Sequence, residues 1–149
     1  MAWKILTSKE IRALGVMLEE QFGFTGKLDY AFLQNSEDNL YAVSRDVAMV
    51  EWQKLPVKAM GNYFGELKKG LRLSIEGSQM AGPHCSKNII DLSKEELMQW
   101  LKGHDLPTDS ALQGLVLVRH GKDFLGCGTV KEKTLLNFVP KIRRLPEQA

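Results

Sequence analysis

The 149-residue sequence predicts an α+β protein, with a small N-terminal α/β unit (residues 1–60) packed on a C-terminal mixed β unit (residues 61–149). Three observations predict it. One helix-periodic segment and a few short strand-like runs fill the first unit, too thin a core to stand alone. The stretch from Gly114 to Val139 reads as three successive strands joined by tight turns. Pro56 and Gly61 interrupt the pattern without forming a long flexible linker, so the two units are expected to be held against each other.

Taken in order, Thr7 and Glu10 have the spacing of a capping box. Ile11, Leu14, Met17 and Leu18 then recur on one helical face, ending near Phe22 and Gly23. Leu28 to Leu33 and Leu40 to Val43 read as strands, with the polar run Asn35 to Asn39 as the turn between them. Arg45 to Trp52 reads as a short helix. Tyr63 to Glu66 is a strand, and Lys68, Lys69 and Gly70 turn the chain. Leu71, Leu73 and Ile75 alternate as in a strand, yet Ser74 to Ala81 reads equally as a short helix, and both readings stay open. Ile89 to Leu92 is a short strand. Ser93, with Glu95 and Glu96 behind it, caps a helix running to about Lys102 with Leu97, Trp100 and Leu101 inward; Gly103 stops it. Asp105 to Gln113, holding Pro107, reads as a surface loop.

The C-terminal part is the most informative. Leu115 to Val118 is continuously apolar, the pattern of a strand buried on both sides or closed into a barrel. His120 to Asp123 suits a hairpin turn. Phe124 to Val130 resumes as a strand carrying Gly126 and Gly128, which leave one face without side chains, for tight curvature or for a backbone or ligand to approach. A third strand, Thr134 to Val139, ends at Pro140, and Lys141, Arg143 and Arg144 follow with no acid among them.

Hydrophobic content of 44% supports a real core. The net charge of +2 is small, and its distribution says more. Residues 1–59 carry 7 basic and 8 acidic side chains; residues 60–149 carry 13 and 10, with the excess concentrated from Lys131 onward. No run approaches the length of a membrane span, and Met1 to Lys4 leads into a charged helix. A soluble, cytoplasmic protein without membrane partners is therefore expected. Cys85 and Cys127 form no CxxC pair, which speaks against structural zinc; Cys127 is expected in the core and Cys85 in a loop.

Enzymatic signatures are missing. His84, His104 and His120 sit in three separate turn regions and read as surface histidines. Glu95 and Glu96 are adjacent and point different ways on a helix, where dipole complementarity explains them. There is no nucleophile elbow, no P-loop, and Gly126-Cys127-Gly128 lacks the third glycine and following helix of a dinucleotide site. The expectation is a protein that is not an enzyme, with neither metal nor cofactor. What remains is charge and glycine. Arg119 and Lys122 flank one hairpin turn, Lys131 and Lys133 the next, and the Lys141–Arg144 exit suits phosphate contacts or serves as a solvated tail. If the three strands are antiparallel neighbours, the groups around Lys131 and around Lys141 lie at opposite strand ends. For Tyr63, Phe64 and Phe138, core packing is favoured over base stacking.

The segment Gly114 to Val118, the turn, Phe124-Leu-Gly-Cys-Gly-Thr-Val130 and Leu135-Leu-Asn-Phe-Val-Pro-Lys-Ile-Arg-Arg144 resembles the end of a PUA domain. More closely, it resembles the PUA-like C-terminal module of the rRNA cytosine-C5 methyltransferases of the Nol1/Nop2/Sun type, and small PUA-containing ribosome-biogenesis factors. Residues 62–145 carry the resemblance, and Ile142 stands where the family has glycine. The resemblance implies a pseudobarrel of mixed strands that contacts structured RNA, rRNA or tRNA, through Arg119, Lys122, Gly126, Gly128, Asn137, Lys141, Arg143 and Arg144. It implies a non-catalytic role in rRNA processing within ribosome biogenesis, or in RNA modification, with no role on DNA. The catalytic Pro-Cys motif and the S-adenosylmethionine loop of those enzymes have no counterpart in this sequence. The alternative is a docking module for a protein of ribosome assembly, or an accessory subunit of a separate RNA methyltransferase.

Overall fold

The computed structural model describes residues 3–45 and 61–149. Thr7 opens helix α1 (Ser8–Phe22) as the sequence predicts: its side chain accepts from the Glu10 amide, and the Glu10 carboxylate accepts from the Thr7 amide. Gly23 ends it in the left-handed conformation, and Leu14, Leu18 and Phe22 are its buried face. That face covers an antiparallel sheet of five strands in chain order, β1 (Lys4–Ile5), β2 (Ala31–Gln34), β3 (Asn39–Val43), β4 (Asn62–Leu67) and β5 (Leu71–Leu73). The Asn35 side chain closes the β2–β3 turn by accepting from the amides of Glu37 and Asn39. The strand expected at Leu28 to Leu33 begins later, at Ala31.

The boundary expected between residues 60 and 61 falls between β3 and β4, which are neighbours in this sheet. The sheet runs across it. The helix expected over Arg45 to Trp52 and the break expected at Pro56 lie, beyond Arg45, outside the described residues.

After β5, Ser74 settles the two readings of the next segment. Its hydroxyl accepts from the Gly77 amide, and helix α2 (Ile75–Ala81) follows. Helix α2 packs on β4 and on a strand of the second sheet, β9 (Asp123–Lys131). Gly77 lies so close to β4 that a Cβ there would stand 1.9 Å from the Phe64 carbonyl oxygen.

The second sheet is mixed and curled into a half-barrel. It comprises β6 (Ile89–Asp91), β7 (Leu106–Pro107), β8 (Gly114–His120), β9 and β10 (Thr134–Asn137), in the order β6-β8-β9-β10-β7. Strand β6 is parallel to β8 and the other pairs are antiparallel. Strand β8 is buried on both faces, which explains its unbroken apolar run. Leu117 joins the core under α1, while Val116 and Val118 join a second core around Trp100. Trp100 comes from helix α3 (Lys94–Leu101), capped by Ser93 as expected, with the Glu96 side chain completing a capping box. The β8–β9 turn is the two residues Gly121 and Lys122, with Gly121 at φ 60° and His120 already paired to Asp123.

Two expectations need correction. Asp105 to Gln113 is not wholly loop: Leu106 and Pro107 form β7, and buried Leu106 pairs with Leu135. A two-residue edge strand has no periodicity to read. Strand β10 stops at Asn137 rather than Val139, because the Asn137 side chain accepts from the Val139 amide and turns the chain out of the ladder.

Gly77→Ala should lose roughly 3 kcal/mol of stability, at the upper end of overpacking penalties, because the obstructing atom is backbone. Gly15→Ala, where a Cβ meets nothing within 4 Å, should lose none and gain up to ~1 kcal/mol. Urea unfolding midpoints of the two variants read this directly; equal midpoints would show that α2 is loosely seated.

Candidate nucleic-acid interface

The antiparallel order β8-β9-β10 places the cations of this sheet. Arg119 and Lys122 stand at one end of the strands, and Lys131 and Lys133 at the other. Strand β10 then runs back, so its exit carries Lys141, Arg143 and Arg144 away from Lys131 and Lys133. The expected separation of the two groups therefore holds.

The eight residues singled out from the sequence have different environments. Arg119 grips Asp91 through two hydrogen bonds, Nε to Oδ1 at 2.6 Å and Nη2 to Oδ2 at 2.9 Å, and stands 5.7 Å over the Phe124 ring. The parallel register that pairs Asp91 with Arg119 makes this possible. The hydrogen bond from Arg119 holds the Asp91 carboxyl below its ordinary value, and the same bond raises the guanidinium. Lys122 is exposed at the tip of the hairpin and has no side-chain partner among the described residues.

Gly126 answers a geometric need. Leu117 pairs with Cys127 and Arg119 with Phe124, so Val118 alone faces both Leu125 and Gly126. The extra residue is taken up by Gly126 at φ 90°, a glycine bulge that bends the strand. Gly128 makes room within the protein. A Cβ there would stand 2.8 Å from Leu135 Cδ1 and 2.9 Å from Trp100 Cη2, so the Trp100 ring occupies the face that the glycine leaves bare. Asn137 is a fastener. Its side-chain amide donates to the carbonyls of Trp100 at 2.8 Å and His104 at 3.0 Å, while its own N–H donates to Asp105 Oδ1.

At the exit, Lys141–Arg143 forms a short 3-10 turn. Arg143 pairs with Glu76 of α2. Arg144 donates to the Val139 carbonyl at 3.0 Å and lies across Gly103, where a Cβ would meet its Nε at 2.3 Å. Lys141 is exposed and without a side-chain partner among the described residues, and its neighbour Ile142 is 93% exposed. Lys122 and Lys141 are thus the cations of the group without a side-chain partner among the described residues, while Arg144 is held by a carbonyl and not by a carboxylate.

One small cleft gathers several of these parts. It has a volume of about 120 Å³, and its walls include Tyr63, Arg72, Glu76, Gly126, Phe138 and Arg143. Arg72 Cζ stands 4.4 Å over the Phe138 ring, and Nη2 bonds Glu66 Oε1 at 2.9 Å. Tyr63 is half-buried, its hydroxyl donates to Asn39 Oδ1, and burial raises its pKa. Phe64 is fully buried in the first core, as favoured from the sequence. Arg72 and Glu76 went unread in the sequence, although buried Leu71 and Leu73 on either side of Arg72 signal its outward direction.

The remaining titratable groups do not converge. His84 packs edge-on against Phe24, His104 bridges Gln99 and Glu147, and His120 bonds the Leu92 carbonyl. Among the described residues, no three His, Cys, Asp or Glu side chains are placed to hold a metal ion, and no helix is long and apolar enough to cross a membrane. Burial pushes the Cys85 thiol up to about 11 and the Cys127 thiol up to about 12, well away from a reactive thiolate.

Residues 87–145 match the family model described as the methyltransferase RsmF PUA domain. The match holds β6 through the basic exit, and leaves β4, β5 and α2 outside it. No curated protein matches the chain.

Asn137→Ala should cost roughly 2–3 kcal/mol, because it strands two carbonyls and the Val139 amide, and a chemical melt checks this. Asp91 has a lowered folded-state pKa, so its contribution is full above the ordinary carboxylate range and is lost as pH falls through the lowered value. Asp91→Asn should therefore be less stable than wild type at about pH 7, with the gap closing as pH falls through the lowered Asp91 value. A gap that persists in acid would assign the difference to something other than the ion pair.

Proposed function

We propose that this protein is a non-catalytic RNA-binding protein directed at structured RNA, most simply rRNA during ribosome biogenesis in the cytoplasm. The observation that carries the reading is the PUA-domain match over residues 87–145, a span that presents Lys122 and Lys141 as exposed cations free of acidic partners. Free lysines release counterions when they meet phosphates, whereas Arg119 and Arg143 already have carboxylates. Binding then rests on backbone contacts and shape, since paired RNA offers side chains little base information. The division of labour that follows is an RNA-contacting surface on the second sheet and its basic exit, with the first sheet, which runs across residues 60 and 61, buttressing it.

A second reading is favoured by the wording of the matched model, which describes the PUA domain of a methyltransferase. On that reading the protein completes a separate RNA methyltransferase as an accessory subunit. It requires a stable complex with a protein carrying an S-adenosylmethionine site.

Anisotropy titrations on fragmented rRNA at several salt concentrations test the first reading. Affinity should fall with salt, and Lys122→Ala with Lys141→Ala should lower the slope of log K against log salt by about 1.4–1.8, two phosphate contacts' worth. A flat salt response, or no binding below ~100 μM, would reject it. Removing Lys141, Arg143 and Arg144 together should weaken binding further, but Arg143 and Arg144 also hold the fold, so that triple variant needs a melting control. Crosslinking followed by sequencing identifies the RNA class.

A further inference from the structure

We infer that the cleft between β5, the start of α2 and the β9–β10 exit holds one unpaired nucleobase of the bound RNA. The inference rests on the RNA-binding reading above and names a site within it. Size comes first. At about 120 Å³ the cleft is well below the ~300–1,000 Å³ of pockets for drug-sized ligands, and suits a single planar heterocycle.

Charge decides between base and phosphate. Both arginines on the walls are already neutralised, Arg72 by Glu66 and Arg143 by Glu76, while Lys68 meets Glu66 at 3.4 Å from outside the cleft. A phosphate entering here would have to compete with two carboxylates. An uncharged ring meets instead Tyr63, Phe138 and the Arg72 guanidinium that already covers one Phe138 face, surfaces on which bases stack. The arrangement is also preorganised. Arg72 is held both over Phe138 and against Glu66, so it loses little freedom when a base arrives. Glu76 and Arg143 supply an acceptor and a donor at the cleft wall, matching the mixed donor and acceptor edge that an unpaired base exposes.

The surroundings complete the site. Pro140 lines the cleft and Lys141 follows it, exposed and uncompensated, where the phosphate of the same nucleotide would leave. The cleft lies across the two sheets: Tyr63 and Arg72 come from the first, and Phe138 follows the last strand of the second. It therefore gives β4, β5 and α2, which lie outside the family match, a part in recognition.

The test uses the full chain and a single-stranded RNA 12-mer carrying one 4-thiouridine, with the same strand annealed to its complement as a second probe. Irradiation should place the crosslink on Tyr63 or Phe138 with the single strand and not with the duplex. Phe138→Leu should bind the single strand about tenfold more weakly, the scale of one base–aromatic stack, with an unchanged salt slope. Arg72→Met, which keeps the aliphatic stem, should do the same and serves if Phe138→Leu melts early. A wild-type protein that binds RNA while both variants bind equally well, or crosslinks confined to the segments around Lys122 and Lys141, would overturn the base site and leave the RNA-binding reading standing. Absence of any RNA binding by the wild type would overturn both. Adenosine monophosphate competing as tightly as the 12-mer would show a free-nucleotide site instead, and so would also overturn it.

Discussion

One buried hydroxyl fastens helix α2, which also packs on the first sheet, to the second sheet. Ser78 Oγ accepts the Gly126 amide at 2.8 Å and donates to the Ile75 carbonyl at 2.7 Å, and the serine is wholly excluded from solvent. Gly126 is the residue that bulges β9, so its amide has no place in the regular ladder and needs a partner from elsewhere. Helix α2 brings that partner only because Gly77 lets it settle against the Phe64 carbonyl and Gly82 lets it settle against the Phe124 ring. The bend of the half-barrel, the seat of α2 and the joining of the two sheets are thus one constraint. The first core expresses it: α1, both sheets and α2 contribute to a single apolar cluster. The cleft beside Gly126 is a by-product of the same bend.

The cations divide by type. The arginines Arg72, Arg119 and Arg143 are each engaged by a carboxylate, and Arg144 by a carbonyl, where the planar guanidinium makes fixed, directional contacts. The lysines Lys122 and Lys141 remain solvated point charges at positions without a competing acid. A surface built in this way separates two jobs that a count of basic residues merges: arginines shape the cleft and hold the chain exit, and lysines carry the charge that polyanions respond to. The local +3 of residues 60–149 overstates the free positive charge near the exit and locates it poorly.

How far the site could be read from sequence follows from the range of each interaction. The short-range patterns were legible: Thr7 with Glu10, Ser93 with Glu96, and the two-sided burial of Leu115 to Val118 all appear in the structure where they were expected. Gly126 and Gly128 were recognised as positions where a side chain would be costly, but the sequence could not tell their reasons apart. One supplies a bulge; the other admits the Trp100 ring. The resemblance implies Asn137 as an RNA contact, and its partners Trp100, His104 and Asp105 are all more than thirty residues away, so no local pattern shows them. The pairing of Glu76 with Arg143 joins residues 67 positions apart, beyond the reach of any local pattern.

By itself, then, the sequence determined the fold class, most of the elements, the two-sided strand β8 and the ends of β8, β9 and β10 at which basic residues would stand. Periodicity and capping act over a few residues, and a strand's neighbours in a tight hairpin are dictated by the turn. Only the tertiary structure decided which cations stay free, what fills the face at Gly128, that the first sheet continues through β4 and β5, and that Tyr63, Arg72, Glu76, Phe138 and Arg143 share one cleft. Those outcomes depend on which sheet edges and helix ends meet after the chain collapses, and no local pattern encodes the register of one against another.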